Sequence, residues 1–177
     1  MSTFAIKVDL AGLNAALDAK AQQVQAAARP AAQAGAQVLY QAVLANVAAL
    51  GSVTGNLRSA IYQVYSQDHS GPGHATYHIS WNASKAPHGH LVEWGYLQRY
   101  VYYKDRHGNI RAKVRPGMEG KPKPGRRASR AEKDAYWVTL PGGPRQVPAK
   151  SFIRNAEAQG EQARQAMAER FRKELAA

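Results

Sequence analysis

Cysteine is absent from the 177-residue chain. That excludes a disulfide framework, a thiolate nucleophile and a cysteine-ligated zinc, and it suits a reducing compartment such as the bacterial cytoplasm. Long apolar runs are also missing. The alanine-rich stretch 26–50 comes nearest to a membrane span, but Arg29, Pro30 and several glutamines and asparagines interrupt it, so no membrane insertion is expected. Acidic residues are scarce, with 12 Asp and Glu against 24 Lys and Arg. Within the strand-rich middle only Asp68, Glu93 and Asp105 are available as acids, which leaves little material for carboxylate-based catalysis. No G-x-S-x-G, H-E-x-x-H, G-x-x-x-x-G-K-[ST] or G-x-G-x-x-G pattern occurs. The chain therefore reads as a protein that is not an enzyme and carries no cofactor.

What is abundant is positive charge, +12 overall with a pI near 10.1. It is concentrated: from Arg99 to Lys133 there are twelve Lys or Arg against Asp105, Glu119 and Glu132, so +9 of the +12 lies in this segment. Such an excess needs an acidic partner or dilution in a larger assembly.

Residues 4–8 alternate as a short strand, and Asp9 stands where a helix N-cap is wanted. From Leu10 onward, Leu13, Leu17, Ala21, Val24 and Ala28 recur at three- and four-residue steps, predicting a helix with these on its apolar stripe. Pro30 predicts a kink or a second helix, whose stripe continues through Ala34, Val38, Ala42, Ala45 and Ala49. Sixteen of the 41 residues from Leu10 to Leu50 are alanine, giving high helix propensity but little burial per residue, so the helical region calls for a partner surface. Gly51 suits a helix C-terminus.

Strand composition follows at 61–65 and again at 75–81, where Tyr77, Ile79 and Trp81 share one face and Thr76, His78 and Ser80 the other. The segments 100–104 and 110–114 flank a glycine-containing turn, the pattern of a hairpin whose second arm places Arg111, Lys113 and Arg115 on one face. Residues 116–130 are rich in proline and glycine and read as a mobile loop. A further strand at 136–140 is followed by a final helix, capped by Ser151, with Ala156, Ala163, Met167, Phe171 and Leu175 along its stripe and Glu169 paired with Lys173. The element order implies a single α+β domain over 1–177: long N-terminal helices and a C-terminal helix packed on a mainly antiparallel sheet, with a basic hairpin and loop inserted at about 97–146.

Two constellations invite chemistry. His74 with His78, or His88 and His90 with Glu93, have the residue types of a metal site. Four residues along a strand are about 13 Å apart, too far to share an ion, and exposed polar-face histidines are the simpler reading. Stronger is the basic segment, where Arg111, Lys113, Arg115, Lys121, Lys123, Arg126, Arg127 and Arg130 lie near Tyr100, Tyr102 and Tyr103. It suits sequence-independent phosphate contact. A solvated loop, or one docked on an acidic neighbour, fits it equally.

Three further segments stand out together. Thr54, Gly55 and Leu57 lie in Thr-Gly-Asn-Leu-Arg-Ser-Ala-Ile; Glu93, Trp94 and Gly95 end His-Leu-Val-Glu-Trp-Gly; Pro148, Phe152 and Ile153 lie in Val-Pro-Ala-Lys-Ser-Phe-Ile-Arg-Asn-Ala. In order and spacing these resemble the phage tail-component (neck) family whose type member is gene product ten of phage HK-ninety-seven. The chain departs from that pattern at Tyr96, where threonine is usual, at Ser151 and Asn155, where prolines are common, and in the length of 97–146. The resemblance implies a virion neck or tail-completion protein, made in the host bacterial cytoplasm, that joins tail to head as a hexameric ring beside other neck and tail proteins. A tail terminator ring is the closely related alternative, and contact with packaged DNA is open. From the residues alone, a free nucleic-acid-binding protein and a small hydrolase stay as alternatives of other classes. Glu93, the single acid of an apolar run, is expected to pair with a basic residue of its own or a neighbouring subunit.

Overall fold

A computed structural model describes residues 10–51 and 55–176; the expected strand at 4–8, the cap at Asp9 and the motif residue Thr54 lie outside them. The architecture is α+β. One helix, α1 (Ala11–Ala49), forms the spine. It runs through Pro30, so of the two outcomes expected there, a kink or a second helix, no second helix begins. Proline removes one backbone donor, but alanines flank it on both sides and Ala27 and Ala31 are buried, so local propensity and packing outweigh the loss.

The buried side of α1 is the four-residue ridge Ala27, Ala31, Gly35, Val43 and Val47, joined by Ala36. This corrects the predicted stripes: Ala45 and Ala49 are exposed, and so are Leu10, Leu13, Leu17 and Val24. The reason is the length of the partner helix. α5 (Gly160–Ala176) packs antiparallel to α1 and ends where Gln23 Nε2 donates to the carbonyl oxygens of Glu174 and Leu175, at 3.2 and 3.3 Å. The first turns of α1 extend beyond it. Where the helices cross, Gly35 lets them approach closely; a Cβ there would stand 2.4 Å from Met167 Cγ and 3.1 Å from the Ala163 carbonyl. The ion pairs along α5 are Glu161 with Arg164 and Arg170 with Glu174, whereas Glu169 with Lys173 was expected.

The other side of α1 carries an antiparallel ribbon. A short helix, α2 (Asn56–Ala60), follows Gly55, whose φ of 72° is one a side chain resists. It leads into β1 (Ile61–Gly71), which pairs with β2 (His74–Trp81) from Ile61 opposite Trp81 to Tyr65 opposite Tyr77. Alternation holds as predicted: Tyr77, Ile79 and Trp81 share one face, and Ile79 and Trp81 pack on the core. That core is Val43, Val47, Ile61, Phe152 and Ala156, with Leu57 and Ile153 at its margin. Phe152 is wholly buried and meets Trp81 edge-on at 5.8 Å. Arg29 lies over the Tyr65 ring at 4.2 Å, tying the middle of the ribbon to α1.

The remaining strands belong to the segment at about 97–146 that reads in the sequence as an insertion. β3 (Tyr96–Gln98) pairs with β6 (Arg145–Val147), and β4 (Tyr102–Lys104) with β5 (Ile110–Ala112), both antiparallel. The hairpin is the one expected. Asp105 accepts from the amides of His107 and Asn109 at 2.9 Å each, and Gly108 takes φ 83°. Instead of a strand at 136–140 there is a helix, α4 (Arg130–Tyr136), followed by isolated bridges of Trp137 to Val114 and Thr139 to Tyr100. Ser129 and Glu132 form a capping box that starts this helix, so strong local capping draws Tyr136 into it, while Trp137 is extended as its composition predicts. Among the described residues no helix is long and apolar enough to cross a membrane.

Candidate assembly junction and basic surface

Two of the three motif segments meet at one buried point. α3 (Gly89–Trp94) delivers Glu93, only 2% exposed, to the start of the 3-10 helix Arg154–Gln159. Its carboxylate accepts from the amides of Ile153 at 3.0 Å and Arg154 at 3.3 Å, and from Arg154 Nε at 3.1 Å. These amides are donors that a helix start leaves without an internal partner, so Glu93 caps that helix from a distant part of the chain. Arg154 Nη2 donates to the Glu93 carbonyl at 3.0 Å and to Ser151 Oγ at 2.7 Å. A buried acid is thus fully compensated. Arg154 is a residue the sequence reading missed; the signal was Glu93 itself, which needed a cation within reach.

The expected cap, Ser151, has another task. It sits at φ 49°, the single non-glycine residue with positive φ among those described, and turns the chain between β6 and the 3-10 helix. On the opposite side Gly95, at φ 75°, lies so close to residues 147–149 that a Cβ would fall 2.5 Å from the Val147 carbonyl oxygen and 2.8 Å from the Ala149 amide. Lys150 N donates to the Val92 carbonyl at 2.8 Å, and Asn46 Nδ2 of α1 donates to the Phe152 carbonyl at 2.9 Å. Pro148 therefore lies in the strap pressed on Gly95, while Phe152 and Ile153 anchor it in the core. The first motif joins through Leu57, at the edge of the same core.

Not every side chain of the junction points inward. Trp94 is 62% exposed with the Arg154 guanidinium 4.3 Å from its ring, and Leu97, the first residue of the 97–146 insertion, is equally exposed.

The insertion has its own organisation. Three backbone bonds close a cycle: Val101 N to Val138 O, Val138 N to Lys113 O and Lys113 N to Val101 O, at 2.8 to 2.9 Å. Beside it Arg99 grips Asp134 with both Nε, at 2.8 Å, and Nη2, while Tyr100 Oη donates to the same carboxylate at 3.0 Å. The Arg99 hydrogen bond in the main holds Asp134 down at about 2. Asp105 is also held at about 2: desolvation, which would raise it, is outweighed by the Arg111 side chain and the backbone amides of Asn109 and His107. Trp137 packs against Tyr100 and Tyr136 at 5.4 and 5.3 Å.

The eight predicted anion-contact residues divide. Arg111 is paired with Asp105 at 2.7 Å, and Arg115 is folded onto the carbonyl oxygens of Asp134 and Trp137 at 3.0 and 3.3 Å. Lys113, just past β5, is exposed, with its backbone in the cycle to Val101 and Val138. Lys121, Lys123, Arg126, Arg127 and Arg130 are exposed along 121–130, and among the described residues none forms an ion pair with a carboxylate. That segment is pinned by Tyr136 Oη to the Lys121 carbonyl at 3.2 Å and Lys133 Nζ to the Arg126 carbonyl at 2.8 Å. The expected mobile loop is tethered to α4.

No family model, curated protein or solved structure matches this chain.

Among the described residues no three His, Asp or Glu side chains gather where a metal could be held. His69 and His78 do meet edge-on across the ribbon at 5.7 Å, with Ser66 Oγ 2.9 Å from His69 Nδ1. The hollow beside them, lined by Val64, Ser66, Asp68 and His78, is shallow and open.

Proposed function

We propose that the chain is a structural subunit of a tailed-phage virion, a neck or tail-completion protein that joins tail to head through a hexameric ring, with a tail terminator ring as the nearest related role. The reading rests on the resemblance of the three motif segments and on one observation. Large apolar side chains stand uncovered, among them Leu10, Leu13 and Leu17 on the overhang of α1, between 52% and 59% exposed, and Trp94 with Leu97 beside the junction. Scattered apolar residues are ordinary, but a leucine stripe on a helix that has outrun its partner is a surface suited to burial in an assembly. The motif residues support the reading in a different way. Glu93, Gly95 and Phe152 hold α3, the strap at 147–150 and the 3-10 helix together, so that Trp94 is presented outward from a rigid base.

Light scattering of the full chain in solution tests this. The wild type is expected to run as a closed ring, and Leu13→Glu with Leu17→Glu to release monomers. Both positions are exposed, so the thermal midpoint should change little, within the roughly 0.5 kcal/mol usual for surface sites. A wild-type chain that stays monomeric at all concentrations, together with purified virions that lack it, overturns the proposal.

A further inference from the structure

We infer that the face formed by residues 121–130 and α4 is a binding site for the phosphate backbone of duplex nucleic acid, read without regard to sequence. The acids of this region are already engaged. Glu119 accepts from the Gly117 amide at 2.8 Å, Glu132 closes the capping box on Ser129, and Asp134 is taken by Arg99 and Tyr100. Among the described residues Lys121, Lys123, Arg126 and Arg127 have no carboxylate within ion-pairing distance, and Arg130 acts on Asp134 only through space. They are held in one place, because the Tyr136 and Lys133 tethers fix the segment to α4 and Lys123 Nζ lies 5.9 Å over the Trp137 ring.

The apolar surface decides which acidic partner fits. Within 121–130 and α4 no large apolar side chain is exposed, and the exposed Tyr102, Tyr103 and Ile110 stand on the β4–β5 hairpin. A protein interface of any strength needs buried aromatic or aliphatic anchors at its centre. Phosphates need none, since release of condensed counterions supplies the affinity. Single strands are favoured by exposed aromatic platforms; on this face Tyr136 is buried and Trp137 is half-buried between Tyr100 and Tyr136, and the exposed Tyr102 and Tyr103 belong to β4, not to 121–130 or α4. Duplex is therefore the better match.

The test is equilibrium binding of the full chain to a fluorescent random-sequence duplex of about 30 base pairs. Five phosphate contacts predict a log-log salt slope of about −4.5, or roughly 500-fold weaker binding between about 50 and about 200 mM salt. Replacing all five cations by glutamine should abolish the slope and weaken low-salt binding at least about 100-fold. Replacing Lys20, Arg58, Lys85, Arg172 and Lys173 in the body removes the same charge and should leave affinity within about threefold. If the quintuple loop variant does not fold, Arg126→Gln with Arg127→Gln should still reduce the slope by about 1.8. The inference is overturned if the loop variants bind as the wild type does, if the body variant loses as much, or if polyglutamate is bound where duplex is not, which points to an acidic protein surface instead. Duplex binding does not require a ring, so this result and the light-scattering result are read separately.

Discussion

The body and the insertion of this chain are held together by different forces. In the body, a long helix, its antiparallel partner and a ribbon close over Val43, Val47, Ile61, Phe152 and Ala156, and the polar exception, Glu93, is sealed inside. In the insertion the centre is a cycle of backbone bonds, an arginine–aspartate pair and a stack of Tyr100, Trp137 and Tyr136. Apolar burial involves no titrating charge, whereas partly exposed ion pairs respond to pH and are screened by salt. The lesson is that the region expected to meet a charged partner is built from interactions that its surroundings tune readily, on a base less sensitive to them.

The contrast can be broken most severely at Phe152. Truncation to alanine removes the largest fully buried side chain and leaves a cavity beside Trp81, so calorimetry should record a loss of about 3–5 kcal/mol for the body. A loss below about 1 kcal/mol would mean that the core lies elsewhere. Next is Glu93→Ala, which strips the cap from the amides of Ile153 and Arg154. Its expected cost is about 3 kcal/mol, at the low end for a broken buried pair because Arg154 is 45% exposed and regains water. Arg154→Ala should cost clearly more than a surface change as well, since it leaves the Glu93 carboxylate with backbone donors only; equal stability of the two variants and the wild type would remove the junction from the argument.

The smallest effect, and the sharpest for the comparison, is acid titration. Asp134 and Asp105 titrate near 2 when folded against an ordinary 3.8. The unfolded insertion therefore binds more protons between those values, so their stabilising contribution is complete above about pH 4 and is lost as pH falls through 2. Fluorescence of Trp137, isolated by replacing Trp81 and Trp94 with phenylalanine, should change in that window before the helical circular dichroism of α1 and α5 does. Simultaneous loss of both signals would show one cooperative unit in place of two.

Part of each region was legible in the chain itself. Period-two alternation in 75–81 set the faces of β2 in the body, and the turn residues 105–109 set the hairpin of the insertion, because these are local patterns with one structural answer. The α1 stripe misled for an equally physical reason. Leu10, Leu13 and Leu17 have core spacing, but whether such a stripe is covered depends on how far α5 reaches, and nothing local to α1 encodes that. Similarly, Ser151 looks like a cap, yet Glu93, some sixty residues earlier in the chain, performs that role. The basic residues were visible as a group, but their division into the engaged Arg111 and Arg115 and the unpaired cations of 121–130 was not.

By itself, then, the sequence determined the class of structure and the basic segment, since propensity, alternation and charge are written position by position. Only the tertiary structure decided that Glu93 meets Arg154 and the strap before the 3-10 helix, that the leucines of α1 stand uncovered, and which cations remain unneutralised. Each of these depends on which distant segments come within a few ångströms, and that is set by the packing of the whole chain.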